Sequence, residues 1–200
     1  MISGYVDAYK SFGESSFLEK AIKTASYIAN YILDKSGKLR RIASLVIARN
    51  GVTKQSEKPS PAFLDDYASL IRAFLDLYQV TFDRDWIVKA EKLIDFSVSH
   101  YFDPASGLFF FTSVKDPALI DRKMELSDNV IPGSNSMMAL NLFAYGQITG
   151  KGKWSALAKN MLDKMNSAIS ANPSFHGNWS ILMTNVIIAP YEIAIVGSNY

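Results

Sequence analysis

An aromatic–alanine pair that recurs at an almost constant interval constrains this chain more than any other feature. Phe17, Trp86 and Trp154 lie 69 and 68 residues apart, and each is followed four residues later by an alanine: Ala21, Ala90 and Ala158. Every one of these aromatics follows a short polar turn, at residues 13–16, 83–85 and 150–153, and every turn follows an apolar segment with helical spacing. Residues four apart share a face of a helix, so each pair marks the same point on a repeated helical unit.

Within the units the period is helical. Leu18, Ala21, Ile22, Ala25, Ile28, Ala29 and Ile32 step by threes and fours, as do Ile87, Ala90, Leu93, Ile94, Val98 and Tyr101, and then Trp154, Leu157, Ala158, Met161, Leu162 and Met165. One apolar stripe with a polar remainder is a surface helix. Ser16 and Glu19 have the spacing of a capping box at the start of the first stripe. The segments before the turns differ. Residues 67–78 carry apolar side chains round most of the circumference, and 137–145 are apolar apart from Asn141. A helix apolar all round is buried all round. Each unit therefore pairs a buried inner helix with an amphipathic outer one. Gly37-Lys38-Leu39 and Gly107-Leu108-Phe109-Phe110-Phe111 follow the first two outer helices as short ribbons, and residues 191–197 are expected to form a C-terminal strand.

The expected fold is all-α: αα-hairpin repeats, as an αα-solenoid or a partial αα-toroid, with an irregular bundle as the alternative. The hairpins fall at about 1–35, 63–102 and 134–171 of a single domain covering 1–200, with a terminal helix and strand at about 178–197. Composition supports a folded chain, since 48% of the residues are hydrophobic and 20% charged. A net charge of +2 gives no footprint for nucleic acid, and the small basic cluster Lys38, Arg40 and Arg41 reads as a solvated turn. With no cysteine and only His100 and His176, disulfides, thiolate chemistry and a metal site are not expected, and no cofactor is implied. The N-terminus lacks a signal peptide's basic and apolar regions, and residues 181–195 are interrupted by Asn185, Pro190 and Glu192. A cytoplasmic chain without membrane contact is expected.

Several motifs, in order, resemble a known family. Phe63-Leu64-Asp65-Asp66-Tyr67-Ala68, the turn leading to Trp86, the ribbon at Gly107, Glu125 and Asp128 followed by Pro132 to Ser136, and the closing Ile195-Val196-Gly197 carry the likeness. The chain resembles the large thioredoxin-domain-containing proteins of the spermatogenesis-associated type, whose C-terminal part is similar to N-acylglucosamine 2-epimerases and six-hairpin glycosidases. That resemblance implies part of an (α/α)6 toroid, about three hairpins of it, with a thioredoxin-like domain and earlier hairpins preceding Met1. It also implies a carbohydrate ligand. Gly133-Ser134 inverts the family's usual order.

In an αα-toroid the loops entering the inner helices line one mouth. Asp65 and Asp66 lie 21 and 20 residues before Trp86, and Asn135 lies 19 before Trp154, so both groups are expected in equivalent places at that mouth. Asp66 and Asp128 are the expected catalytic pair, one acting as acid and one as base. Asn129, Asn135 and Asp65 are expected to bind hydroxyls, and Tyr67 and Phe110 to stack on a sugar face. The competing reading makes Asp65, Asp66 and Asn135 helix caps. At the level of function, the alternative is a non-catalytic binding or assembly module beside a thioredoxin-like domain. An incomplete toroid is also expected to self-associate through inner-helix faces left exposed at its two ends.

Overall fold

A computed structural model describes residues 1–41, 60–116, 121–188, 191 and 193. Seven α-helices occupy these residues: α1 Ile2–Phe12, α2 Ser15–Tyr31, α3 Leu64–Thr81, α4 Arg84–Tyr101, α5 Ser134–Thr149, α6 Gly152–Ala171 and α7 Gly177–Ile187. Helices α1 and α2, α3 and α4, and α5 and α6 pack as hairpins, and α1, α3, α5 and α7 pack on one another in sequence as the inner row. The expected C-terminal strand lies outside the described residues, apart from Tyr191 and Ile193.

The repeated alanines explain the hairpins. Ala21, Ala90 and Ala158 are all fully buried, and Trp86 and Trp154 are nearly so. A methyl group at each crossing lets the outer helix approach its inner partner, while the aromatic one turn earlier fills the space beside the connecting turn. Trp86 stacks on Phe74 of α3 at 5.4 Å between ring centroids. At the α5–α6 crossing the approach is tighter still: a Cβ on Gly146 would lie 2.2 Å from Ser155 Oγ and 2.8 Å from Ser155 N. The Gly150–Gly152 turn is a helix connection, as its composition suggested, with Gly150 left-handed at φ 68°.

Inner helices differ according to their neighbours. Helices α3 and α5, flanked on both sides, each bury ten residues. Helix α1 buries only Ile2 and Val6, and α7 only Trp179 and Leu182. Ile181 and Ile187 of α7, with Ile188, Tyr191 and Ile193 beyond it, are exposed.

The two ribbons follow one plan. Leu33 bridges Leu39 after α2, and β1 (Phe102–Asp103) pairs with β2 (Leu108–Phe109) after α4. Asp34 Oδ1 accepts from the Ser36 and Lys38 backbone N–H groups in the first turn, and the Asp103 carboxylate from Ala105 and Ser106 in the second. The expected capping box at Ser16 is corrected. Helix α2 begins at Ser15 with Glu14 at the N-cap, which places Ser16 inside the first turn, and no side chain bonds the cap.

Candidate functional site at the mouth of the inner helices

The inner helices begin where the outer ones end, and a cleft of about 440 Å³ opens there. Its walls come from the first turn of α1 (Ile2, Ser3), the first three turns of α3 (Asp66, Ser69, Leu70, Arg72, Ala73), Met137 of α5, the far half of α2 (Thr24, Ile28, Ile32) and the ribbon Leu39–Arg41. Asp66, Ser69 or Leu70, and Ala73 recur at the spacing of one helix face, which is why a single stripe of α3 supplies so much of the wall.

Asp66 is the carboxylate on that wall. It occupies the third position of α3, where its Oδ2 accepts from the Phe63 backbone N–H at 2.9 Å, so it also caps the helix. Arg41 Nη1 lies 3.4 Å from the same oxygen, and the Arg41 guanidinium sits 4.8 Å above the Phe63 ring. Burial raises the Asp66 carboxyl above its ordinary value, with the neighbouring Asp65 adding to the rise; the Phe63 N–H and Arg41 offset part of it. Asp65 turns to its own helix instead, accepting from the Asp66 N–H at 2.9 Å, and does not line the cleft.

The other expected site residues are placed elsewhere. Asp128 is the centre of a clamp. Its Oδ1 accepts from the Gly133 N–H at 2.9 Å, Ser136 Oγ at 2.5 Å and Asn178 Nδ2 at 3.0 Å, while Oδ2 accepts from the Asn178 N–H at 2.8 Å. One carboxylate thus ties together the starts of α5 and α7. Burial alone would raise its pKa, but the bonds from Ser136, Asn178 and Gly133 outweigh it and hold the group below the ordinary carboxylate value. Gly133 is needed for the same reason, because a Cβ there would lie 2.8 Å from Ser127 O. The geometry gives Asp128 a structural part, and Asp128 is not among the residues that line the mouth cleft with Asp66.

Tyr67 and Asn135 are likewise engaged within the fold. Both are buried, and both hold ribbons. The Tyr67 hydroxyl accepts from the Leu39 N–H at 2.8 Å, and burial pushes it up to about 12. Its ring is stacked on Phe96 at 5.4 Å, lies 5.3 Å from the Tyr101 ring, and is 1% exposed. Asn135 Oδ1 accepts from the Phe109 N–H at 2.8 Å, while its Nδ2 donates to Phe109 O at 2.8 Å and Glu125 O at 3.0 Å. Tyr67 and Asn135 are separated by the same interval as Trp86 and Trp154, so successive units use equivalent positions to dock the preceding ribbon. Phe110 is half-buried beneath the Arg122 guanidinium at 4.0 Å, and Asn129 is exposed on a separate depression lined by residues 124–133. Asp66 is the expected site residue that lines the mouth cleft.

Arg40, Arg41 and Arg72 are the cleft residues that sequence reasoning missed. The available signal was the ribbon motif: residues just after Gly37-Lys38-Leu39 had to run toward the inner-helix mouth, as Phe110 and Phe111 do one unit later. The histidines are structural. His100 Nδ1 lies 2.9 Å from Phe96 O, and the buried His176 has Nδ1 2.8 Å from Asn172 O. Among the described residues no cluster of three metal-ligating side chains occurs, and no helix is long and apolar enough to cross a membrane.

Known proteins share both sequence and architecture with this chain. Spermatogenesis-associated protein 20 of Mus musculus is 28% identical over 156 residues, which is 77% of this chain and 20% of the mouse protein. An uncharacterized protein of Caenorhabditis elegans is 30% identical over 172 residues, 86% of this chain and 23% of the worm protein. The chain is similar to the spermatogenesis-associated family over most of its length. It spans about a fifth of the length of the curated relatives it matches. No protein-family model matches it. Among solved structures, the GH76 α-mannanase BT2949 of Bacteroides thetaiotaomicron superposes with a TM-score of 0.62 at 19% identity, over 84% of this chain and 42% of the enzyme. A D-mannose isomerase superposes with a TM-score of 0.59 at 18% identity, over 82% and 39%. The hairpin row therefore has the fold of part of an αα-toroid, one of the two forms the repeat left open and the one the family resemblance implied.

Proposed function

We propose that this part of the toroid contributes to a carbohydrate-binding or carbohydrate-processing site in the mouth cleft, with Asp66 as its acid–base group. The observation that carries the reading is the position of Asp66: a half-buried carboxyl, raised by burial, on the wall of the cleft bounded by three inner helices. A carboxyl raised in this way is suited to hold a proton and deliver it to a leaving oxygen, or to exchange one with a sugar carbon. Ile2, Leu70 and Met137 offer an apolar surface to a sugar's C–H face, and Thr24, Ser3 and Ser69 offer hydroxyls. Structural neighbours that act on mannose-containing substrates share this fold and favour sugars as first probes.

The test is turnover of mannose and mannose oligosaccharides by the chain and by Asp66→Asn. Asparagine keeps the oxygen that accepts from Phe63, so the helix start survives. Turnover is expected to fall by about 100-fold or more while the melting temperature stays close to wild type. Undiminished turnover in the variant would remove Asp66 from the chemistry.

A second reading, an assembly module, is favoured by the exposed apolar residues Ile187, Ile188, Tyr191 and Ile193 at one end of the hairpin row. Exposed apolar side chains grouped in this way fit an interface.

A further inference from the structure

We infer that the ligand of the mouth cleft carries a negative charge: a phosphate- or carboxylate-bearing sugar whose anionic group lies against Arg40, Arg41 and Arg72. The inference rests on the carbohydrate reading above and narrows it to a chemical class. Three arginines line the cleft, and among the described residues Asp66 is the carboxylate that lines it with them. Arg41 and Arg72 are each paired with one carboxylate, Asp66 and Asp76, so three arginines against two carboxylates leave the cleft one positive charge in excess, which an anionic ligand complements better than a neutral sugar.

The arginines are also held in place. Arg72 Nε donates to Asp76 Oδ1 at 2.9 Å, and Asp76 is only 2% exposed, so the anchor is set into α3 itself. That bond uses one N–H of the five on a guanidinium, leaving a fork of donors of the kind that fits phosphate or carboxylate oxygens. Arg41 is fixed by the Phe63 ring on one side and by Asp66 on the other. Its pair with Asp66 spans 3.4 Å, with side chains 41% and 26% exposed, a weak contact that an incoming anion can share. Arg40 is carried to the cleft by the backbone bridge to Pro61 and by the bond from its N–H to Ile32 O at 3.1 Å. Two arginines held by side-chain contacts and a third on a bridged backbone form an anion cradle beside the Asp66 carboxyl.

The test is titration calorimetry of the full chain with mannose, mannose 6-phosphate, glucuronate and inorganic phosphate, repeated with Arg40→Gln and Arg72→Gln. At least one of the two charged sugars is expected to bind about 10-fold or more tightly than mannose, with an advantage that shrinks as salt is added. Whichever of the two binds better identifies the anion as phosphate or carboxylate. Each variant should lose about 10-fold toward that sugar and clearly less toward mannose, so that the charged sugar's advantage shrinks. Arg72→Gln strips a buried aspartate of its partner, so Arg40→Gln, at an exposed residue, carries the decision if the first variant fails to fold. Equal binding of mannose and both charged sugars overturns the inference and leaves the carbohydrate reading standing. Inorganic phosphate binding as tightly as mannose 6-phosphate, with glucuronate no better than mannose, overturns it in favour of a bare anion site. Failure of every sugar to bind removes the carbohydrate reading and the inference together.

Discussion

Two aspartates that look alike in the sequence are pushed in opposite directions by their surroundings. Asp128 accepts four internal bonds and is held below the ordinary carboxylate value; Asp66 accepts one backbone bond, is half-buried, and is raised. The signs of their contributions to stability follow from linkage. A carboxyl depressed on folding stabilises the folded state above its unfolded pKa, and the contribution is lost as pH falls through the folded one. Asp128 should therefore support the fold at neutral pH and release it in acid, below the ordinary carboxylate range. Asp128→Asn is expected to lower the unfolding free energy by about 2 kcal/mol at neutral pH and to flatten the acid limb of a melting-temperature profile. Asp66 has the reverse sign, because its raised carboxyl favours the folded state more when protonated. An acid limb as steep in Asp128→Asn as in wild type would show that the clamp is not the acid-sensitive element.

At the scale of elements, the fold depends on ribbons docked to inner-helix starts. Removing the Tyr67 hydroxyl leaves the buried Leu39 N–H without its acceptor, so Tyr67→Phe should cost about 1–3 kcal/mol. Asn135→Ala strips both the N–H and the carbonyl of Phe109 and should cost more, as read from chemical denaturation. The repeat was legible because its signal is local: an aromatic and an alanine on one helical face meet the same packing need in every unit. The ribbons were legible from Gly37 and Gly107, whose φ angles of 89° and 77° suit glycine. Asp34 and Asp103, which shape those ribbons, went unread although they recur at the repeat interval. The roles of Tyr67 and Asn135 were not legible, because each is decided by a partner 28 or 26 residues away. A buried polar side chain and a ligand-facing one have the same one-letter code. Asp66 was found because a cap and a cleft wall coincide at one position. The arginines were missed because a basic turn is read as solvated until the chain path brings it to the mouth.

For the molecule as a whole, the contrast between inner and terminal helices has a measurable consequence. The outward residues of α7, Ile181 and Ile187, are 53% and 73% exposed, whereas α3 and α5 are sealed by neighbours on both sides. We propose that the isolated chain self-associates through such a face. Sedimentation at tens of micromolar should show dimers or larger species, and Ile187→Lys should shift them toward monomer. A clean monomer across that range would set the proposal aside.

The proposed sugar site lies in the mouth cleft. Backbone amide shifts recorded while mannose and mannose 6-phosphate are titrated in would locate it directly. Perturbations centred on Ser3, Arg41, Ser69 and Met137, which line the mouth from four elements, are the predicted result. Shifts confined to residues 124–133 around Asn129, or no shifts with either sugar, would contradict it.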